Sequence, residues 1–225
     1  MLKKVLEERY LEVLEKAREY EQRVKNGKRW GGNVVLIVVD SALDSIGLNY
    51  FKIVVPRVKR FNELYVKTGK IDSIEKFSNI SPKDSRLLNI MKNKRLWDAA
   101  VNICKILNKI KKEKGFRNDF EALKYWAEKT DYENWKEDPM GRIKGVGLIT
   151  FQYLRMQAGV DTTMPDKIIK RVMEQDFGIK VEDDIQIIKE IEKISRETGY
   201  SQIFLCWAIW LKYSDAPKTK QLNLL

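Results

Sequence analysis

The chain contains no histidine. That absence removes at one stroke the commonest general base, the commonest metal ligand and a member of every Ser-His-Asp or Cys-His site. Acid–base chemistry is left to Asp, Glu, Lys, Tyr or Cys. Cysteine is nearly absent as well. Cys104 and Cys206 stand far apart, each inside an apolar pattern of helical period, and no C-x-x-C occurs. Thiolate zinc sites and iron–sulfur clusters are thereby excluded. Two thiols in 225 residues are no secreted disulfide framework either; reduced, buried cysteines in a cytoplasmic protein are expected. Apolar runs such as Val34–Val39 are far too short to cross a bilayer. The stretch MLKKVLEERYLEVLEKAREYEQR is charged throughout and has no signal-peptide core. The expectation is a cytoplasmic protein, nucleoid-associated if prokaryotic, with no membrane partner. There is no repeat of fixed period and no low-complexity segment.

What the chain has is positive charge. Lys and Arg number 43 against 32 Asp and Glu, giving a net +11 and a pI near 9.4. Such an excess favours a polyanionic partner, nucleic acid foremost; a basic but merely solvated surface is the alternative. Hydrophobic residues make up 44% of the chain, enough for one large domain or two packed lobes without staples.

Helical patterns dominate. Residues 2–25 carry Leu2, Val5, Leu6, Val13, Leu14 and Ala17 among charges, an amphipathic helix. The run NVVLIVVDSALDSIG is rich in β-branched residues and fits a buried strand or a buried helix. No other stretch offers a partner strand, and Asn33 as cap with Gly47 as stop favours the helix. Asn49–Tyr65 reads as a helix kinked at Pro56. Ser81-Pro82-Lys83-Asp84 reads as a helix start. A long helix is expected over Lys94–Lys114, stopping at Gly115, and Asn118 with Glu121 resembles a capping box. Asp131–Asp138 is expected to be a loop. Helices follow over about Pro165–Gln175, Asp183–Thr198 and Ser201–Tyr213, with a loosely held tail, APKTKQLNLL. The whole predicts an all-α, two-lobed chain with a cleft. Its approximate lobes are 33–114, and 1–32 with 115–225.

The most informative stretch is GRIKGVGLITFQYLRMQAGVDTTMPDKIIKRV, Gly141 to Val172. Gly145 and Gly147 permit a tight turn and a close backbone approach. The turn opens a helix whose first amides suit a phosphate. Asp166 then follows a helix and a loop later, with Lys167, Lys170 and Arg171 after it. The order hydrophobic-x-G-V-G-x-x-T, apolar helix, loop, carboxylate, basic helix resembles the helix-hairpin-helix DNA glycosylase superfamily. Gly145, Val146, Gly147 and Thr150 match its hairpin, and Asp166 falls on its catalytic Asp with a shift of about one residue. Met164-Pro165-Asp166 looks most like the alkylpurine branch. Outside 141–172 the likeness is one of pattern.

The resemblance implies a two-lobed helical glycosylase fold working on duplex DNA as a monomer. Asp166 would serve as the catalytic carboxylate, with Lys144, Gly145, Val146, Gly147, Thr150, Lys167, Lys170 and Arg171 at the DNA backbone. It further implies a monovalent cation, Na+ or K+, at the Gly145–Gly147 hairpin and no organic cofactor. Trp30, Tyr50, Trp97 and Trp126 are candidate walls for an extruded base, with Phe51 beside Tyr50; Leu43 is a candidate wedge. Trp207 and Trp210 read as core.

The departures are specific. Ile149 occupies the position of the Schiff-base lysine of bifunctional members, Lys144 replaces the hairpin proline, and Leu43 replaces the glutamine of an early S-A-Q. The expected activity is therefore monofunctional excision of a damaged or mispaired base. Asp166 as a plain helix cap, a DNA-binding module that has lost catalysis, and a helical protein–protein adaptor are the alternatives. The basic runs 92–95 and 108–114 face either phosphate or solvent.

Overall fold

The computed structural model describes residues 2–214, so the expected loose tail lies outside the described residues. Every regular element among them is a helix. None is long and apolar enough to cross a membrane.

Helix α1 (Leu2–Lys25) buries Leu6, Tyr10, Ala17, Tyr20 and Val24 along one stripe, laid chiefly against α11 (Gln202–Tyr213). Helix α2 (Val34–Asp44) is the buried helix expected of NVVLIVVDSALDSIG. Ten of its residues, Val34 through Leu43, are buried. The Asn33 side chain accepts the Leu36 N–H at 3.0 Å, capping it as predicted. An all-round apolar helix must be enclosed, and α2 contacts α6 (Lys94–Lys114), α8 (Leu148–Gln157), α3 (Val55–Phe61), α4 (Ile74–Ser78) and α7 (Asp119–Lys129).

The expected single helix over 49–65 is instead α3 between two π-turns, Tyr50–Val54 and Asn62–Val66. Pro56 has no N–H to give, and the ladder ahead of it widens: the Val55 N–H bonds the Tyr50 carbonyl, five residues back. Ser81 does not start a helix. Residues 81–84 form a turn, and Asp84 caps the short α5 (Ser85–Ile90) by accepting the Arg86 N–H at 2.8 Å. The cap at α7 holds: Asn118 Oδ1 accepts the Glu121 N–H at 2.9 Å, while Glu121 turns back to the Arg117 N–H. Helices α6 and α10 (Asp184–Thr198) stop at left-handed Gly115 and Gly199, as read from sequence.

The helices gather around two partnerships. One joins α2 to α6, with α4 and α7 on the outer side of α6. The other joins α1 to α11, with α9 (Lys167–Phe177) and α10 on α11. Helix α8 packs on α2 and α7 and touches α1, bridging the two. The end of α2, the first π-turn, α8, the start of α9 and α11 face one another there and enclose a cavity.

Candidate active site

The cavity holds about 500 Å³. Tyr50 and Phe51 come from the first π-turn, Ile149 and Tyr153 from α8, Trp207 and Trp210 from α11. These rings meet edge to face: Tyr50–Trp210 centroids lie 5.3 Å apart at 83°, and Trp207–Trp210 5.6 Å apart at 86°. Into this aromatic hollow come two carboxylates, Asp166 at the start of α9 and Asp44 at the end of α2.

Asp166 is both a cap and a cavity residue. Its Oδ1 accepts the Ile169 N–H at 2.8 Å, so the helix-cap role is real and shares the side chain with the cavity. Burial pushes its carboxyl above the ordinary value, against the amides of Ile169 and Ile168 and the charges of Arg171 and Lys170. Burial outweighs both the helix start and the neighbouring charge. The loop that delivers Asp166 is pinned to α8. Gln152 Nε2 donates to Thr162 Oγ1 at 2.6 Å and to the Thr163 carbonyl at 3.1 Å; buried Arg155 Nη1 donates to Gln152 Oε1 at 2.7 Å. Sequence reasoning missed this support, because a glutamine on an apolar helix announces no partner.

Beneath the cavity lies an ionic cluster that was also missed. Asp40 and Arg29 are fully buried. Asp40 Oδ2 accepts from Trp30 Nε1 at 2.9 Å, from Tyr50 and Tyr153 O–H at 3.1 Å each, and from Arg29 Nη2 at 3.2 Å. Arg29 also donates to the Tyr50 hydroxyl. Burial pushes both phenols well above their usual value, so they stay neutral donors. The cluster fixes two cavity walls from below. The chain enters it through Trp30, the one described non-glycine residue with positive φ, 49°.

Asp44 differs from Asp166. It is half-buried, and among the described residues no donor reaches its carboxylate. Burial, then the charges of Asp40 and Asp166, push it up to about 7, with Arg29 pulling the other way.

A glycine turn ahead of α8 stands where the hairpin was expected. Gly145 has φ 104°, with its open side against the Arg95 and Ala99 side chains. Gly147 has φ −100° and caps α8 by backbone alone, so only one glycine needs its conformational freedom. No regular helix precedes the turn: residues 130–147 run as loops and turns, tied by Asp138, whose Oδ1 accepts the Met140 N–H at 2.7 Å and Trp126 Nε1 at 3.2 Å. Val146 and Thr150 are buried, while Lys144 is exposed.

The remaining expected residues divide. Tyr50 and Phe51 line the cavity. Trp97 is fully buried, stacked on Phe61 with its N–H on the Met91 carbonyl, and Trp126 packs edge-on to Phe151 under the turn; both are core. Trp30 serves the ionic cluster and lines no part of the cavity. Leu43 is fully buried and has no face to wedge with; Ile46, 48% exposed, lines the cavity one turn later. Trp207 and Trp210 are buried yet form cavity wall, a role that their apolar helix concealed. Lys167 is exposed beside the cavity. Lys170 is held by Asp184, which removes it as a free phosphate ligand. Exposed Arg171 reaches the Tyr213 carbonyl at 3.4 Å. In the run 92–95, Arg95 lies by Gly145. In the run 108–114, Lys109, Lys111 and Lys112 pair with Glu113, Asp119 and Glu75.

Comparison with family models, with curated proteins and with solved structures gives no match for this chain.

Proposed function

We propose that the chain is a monofunctional DNA glycosylase of the helix-hairpin-helix superfamily, which extrudes a damaged or mispaired base from duplex DNA and hydrolyses its N-glycosidic bond. One observation carries the reading. Asp166 caps a helix at a cavity walled by Tyr50, Phe51, Trp207 and Trp210, a hollow suited to a flat base beside a carboxylate suited to the positive charge that develops on the sugar. Asp166 stabilises that charge and takes the proton of the attacking water.

The other parts follow. The two helical partnerships act as the two lobes, with the cavity as their cleft. The Gly145–Gly147 turn and the free amides at the start of α8 hold a phosphate, with Lys144, Lys167 and Arg171 around the backbone. Ile46 takes the wedge role, since it is the exposed apolar side chain at the cavity. Ile149 lines the cavity where bifunctional relatives would carry an amine, so the abasic product stays uncut. A Na+ or K+ fits the turn: among the described residues the carbonyls of Lys144, Gly145 and Val146 accept no backbone hydrogen bond. Bound there, it would add positive charge facing a phosphate.

The test is a panel of duplexes, each with one lesion or mismatch, scored for strand breaks before and after alkali. Breaks should appear only after alkali. Asp166→Asn should slow release at least about a hundredfold while keeping DNA affinity, because Asn also caps the helix. Breaks without alkali contradict the monofunctional reading. A panel with no release, alongside tight DNA binding, favours the catalytically inactive module.

A further inference from the structure

We infer that Asp44 is a second acid of the cavity, presenting a proton to the edge of a neutral nucleobase held between the aromatic walls. On the glycosylase reading, on which this catalytic half rests, it hands that proton to the base as the base departs.

The placement of the two carboxylates separates their roles. Asp166 has a backbone amide on its oxygen and the cations of α9 nearby. Asp44 has neither. It ends the buried helix α2 in the cavity lining, and among the described residues no donor reaches its carboxylate. Asp40 lies one turn back on α2 and Asp166 caps α9, and both carboxyl groups oppose a charge on Asp44. Arg29, the nearest positive group beneath, is committed to Asp40 and Tyr50. Neutral Tyr50 and Tyr153, the thiol of Cys206 on α11 and exposed Lys167 are the other titratable groups of the cavity among the described residues. Two acids in one apolar hollow divide into one charged and one neutral, and the surroundings give the charge to Asp166 and the proton to Asp44.

The chemistry balances. When the C1′–N bond breaks, its electron pair goes to the base. The Asp44 O–H delivers its proton to a ring nitrogen or carbonyl oxygen of that base, which leaves neutral. Water adds its oxygen to C1′ and gives its proton to Asp166. Exchange with solvent then returns a proton to Asp44 and removes one from Asp166. A base already cationic from ring alkylation needs no such acid. The inference therefore assigns neutral bases as the substrate class, away from the alkylpurine branch that the Met164-Pro165-Asp166 stretch resembles.

The full chain with free adenine, followed by ligand-observed NMR, tests the recognition half without any catalysis. Binding by the native chain should be about tenfold or more tighter at about pH 5.5 than at about pH 8.5. Asp44→Asn keeps a permanent donor and should bind alike at both. Asp44→Ala should bind weakly at both, with near-UV circular dichroism confirming its fold. No adenine binding, pH-independent binding by the native chain, or native-like binding by Asp44→Ala overturns the inference. On duplexes from which the native chain releases a base, Asp44→Asn should slow release of a neutral base about a hundredfold and release of 7-methylguanine far less. Equal slowing of both removes the catalytic half. If no duplex in the panel loses a base while the adenine result holds, the glycosylase reading fails and the base site stands. Base release with a negative adenine result removes the Asp44 inference alone.

Discussion

At the scale of single residues, function and stability pull Asp44 in opposite directions. In the unfolded chain its carboxyl ionises at the ordinary 3.8; in the fold it does so at about 7. The folded chain thus holds the extra proton between those values, and stability falls as pH rises through that window before levelling off. Asp44→Asn removes the conflict. It should raise the free energy of unfolding by about 2 kcal/mol at about pH 8, with the gain shrinking towards zero near pH 4. Urea midpoints at the two pH values measure it; equal midpoints at pH 8 would show an Asp44 that ionises freely in the fold. Asp44 was invisible in the sequence because Leu-Asp-Ser at a helix end looks like any polar exit. Asp166 was visible because a glycine turn upstream marks its distance. Leu43 misled for a related reason: a helix buried on all sides has no periodicity that tells wall from core.

At the scale of elements, the turn from Ile143 to Leu148 separates backbone strain from ligand approach. Gly145 has φ 104°, and a methyl there would meet Arg95 and Ala99 only at ordinary contact distance. Gly145→Ala should therefore cost about 1–2 kcal/mol through its dihedral. Gly147 has ordinary φ and nothing within 4 Å of an added methyl. Gly147→Ala should leave the melting temperature nearly unchanged yet weaken duplex binding several-fold, since the methyl stands where a phosphate would come close. Loss of stability without loss of affinity in Gly147→Ala would argue for a purely structural turn. Helix ends were read well at four local signals, Asn33 and Asn118 as caps and Gly115 and Gly199 as stops, while the Ser81-Pro82 signal placed a cap at Ser81 where Asp84 serves. They were read poorly where a distant choice decided. The π-turns around α3 and the loop ahead of Gly145 depend on what packs beneath them, and no local pattern encodes that.

For the whole molecule, some of the 43 Lys and Arg side chains are committed to internal pairs, among them Lys170 with Asp184 and Lys111 with Asp119, but each pair takes up one acid as well, so the excess of +11 stands. On the glycosylase reading, Lys144, Lys167 and Arg171, all exposed, would meet phosphates. Duplex affinity should fall with salt at a log–log slope steeper than about −4, roughly a hundredfold or more between 50 and 200 mM. A flat dependence, measured by fluorescence anisotropy on an undamaged duplex, would favour the protein–protein adaptor. The all-helical class was legible from periodicity alone; the cavity was not, because its walls come from residues 44–51, 149–156, 164–168 and 206–214 and only folding brings them together. The Tyr50–Trp210 contact joins the π-turn after α2 to α11 within the cavity wall, and Asp40 holds the Tyr50 hydroxyl from the buried side. Both ends of that wall are held without a ligand, so a base entering the hollow would be chosen by its outline rather than by a rearrangement of the walls.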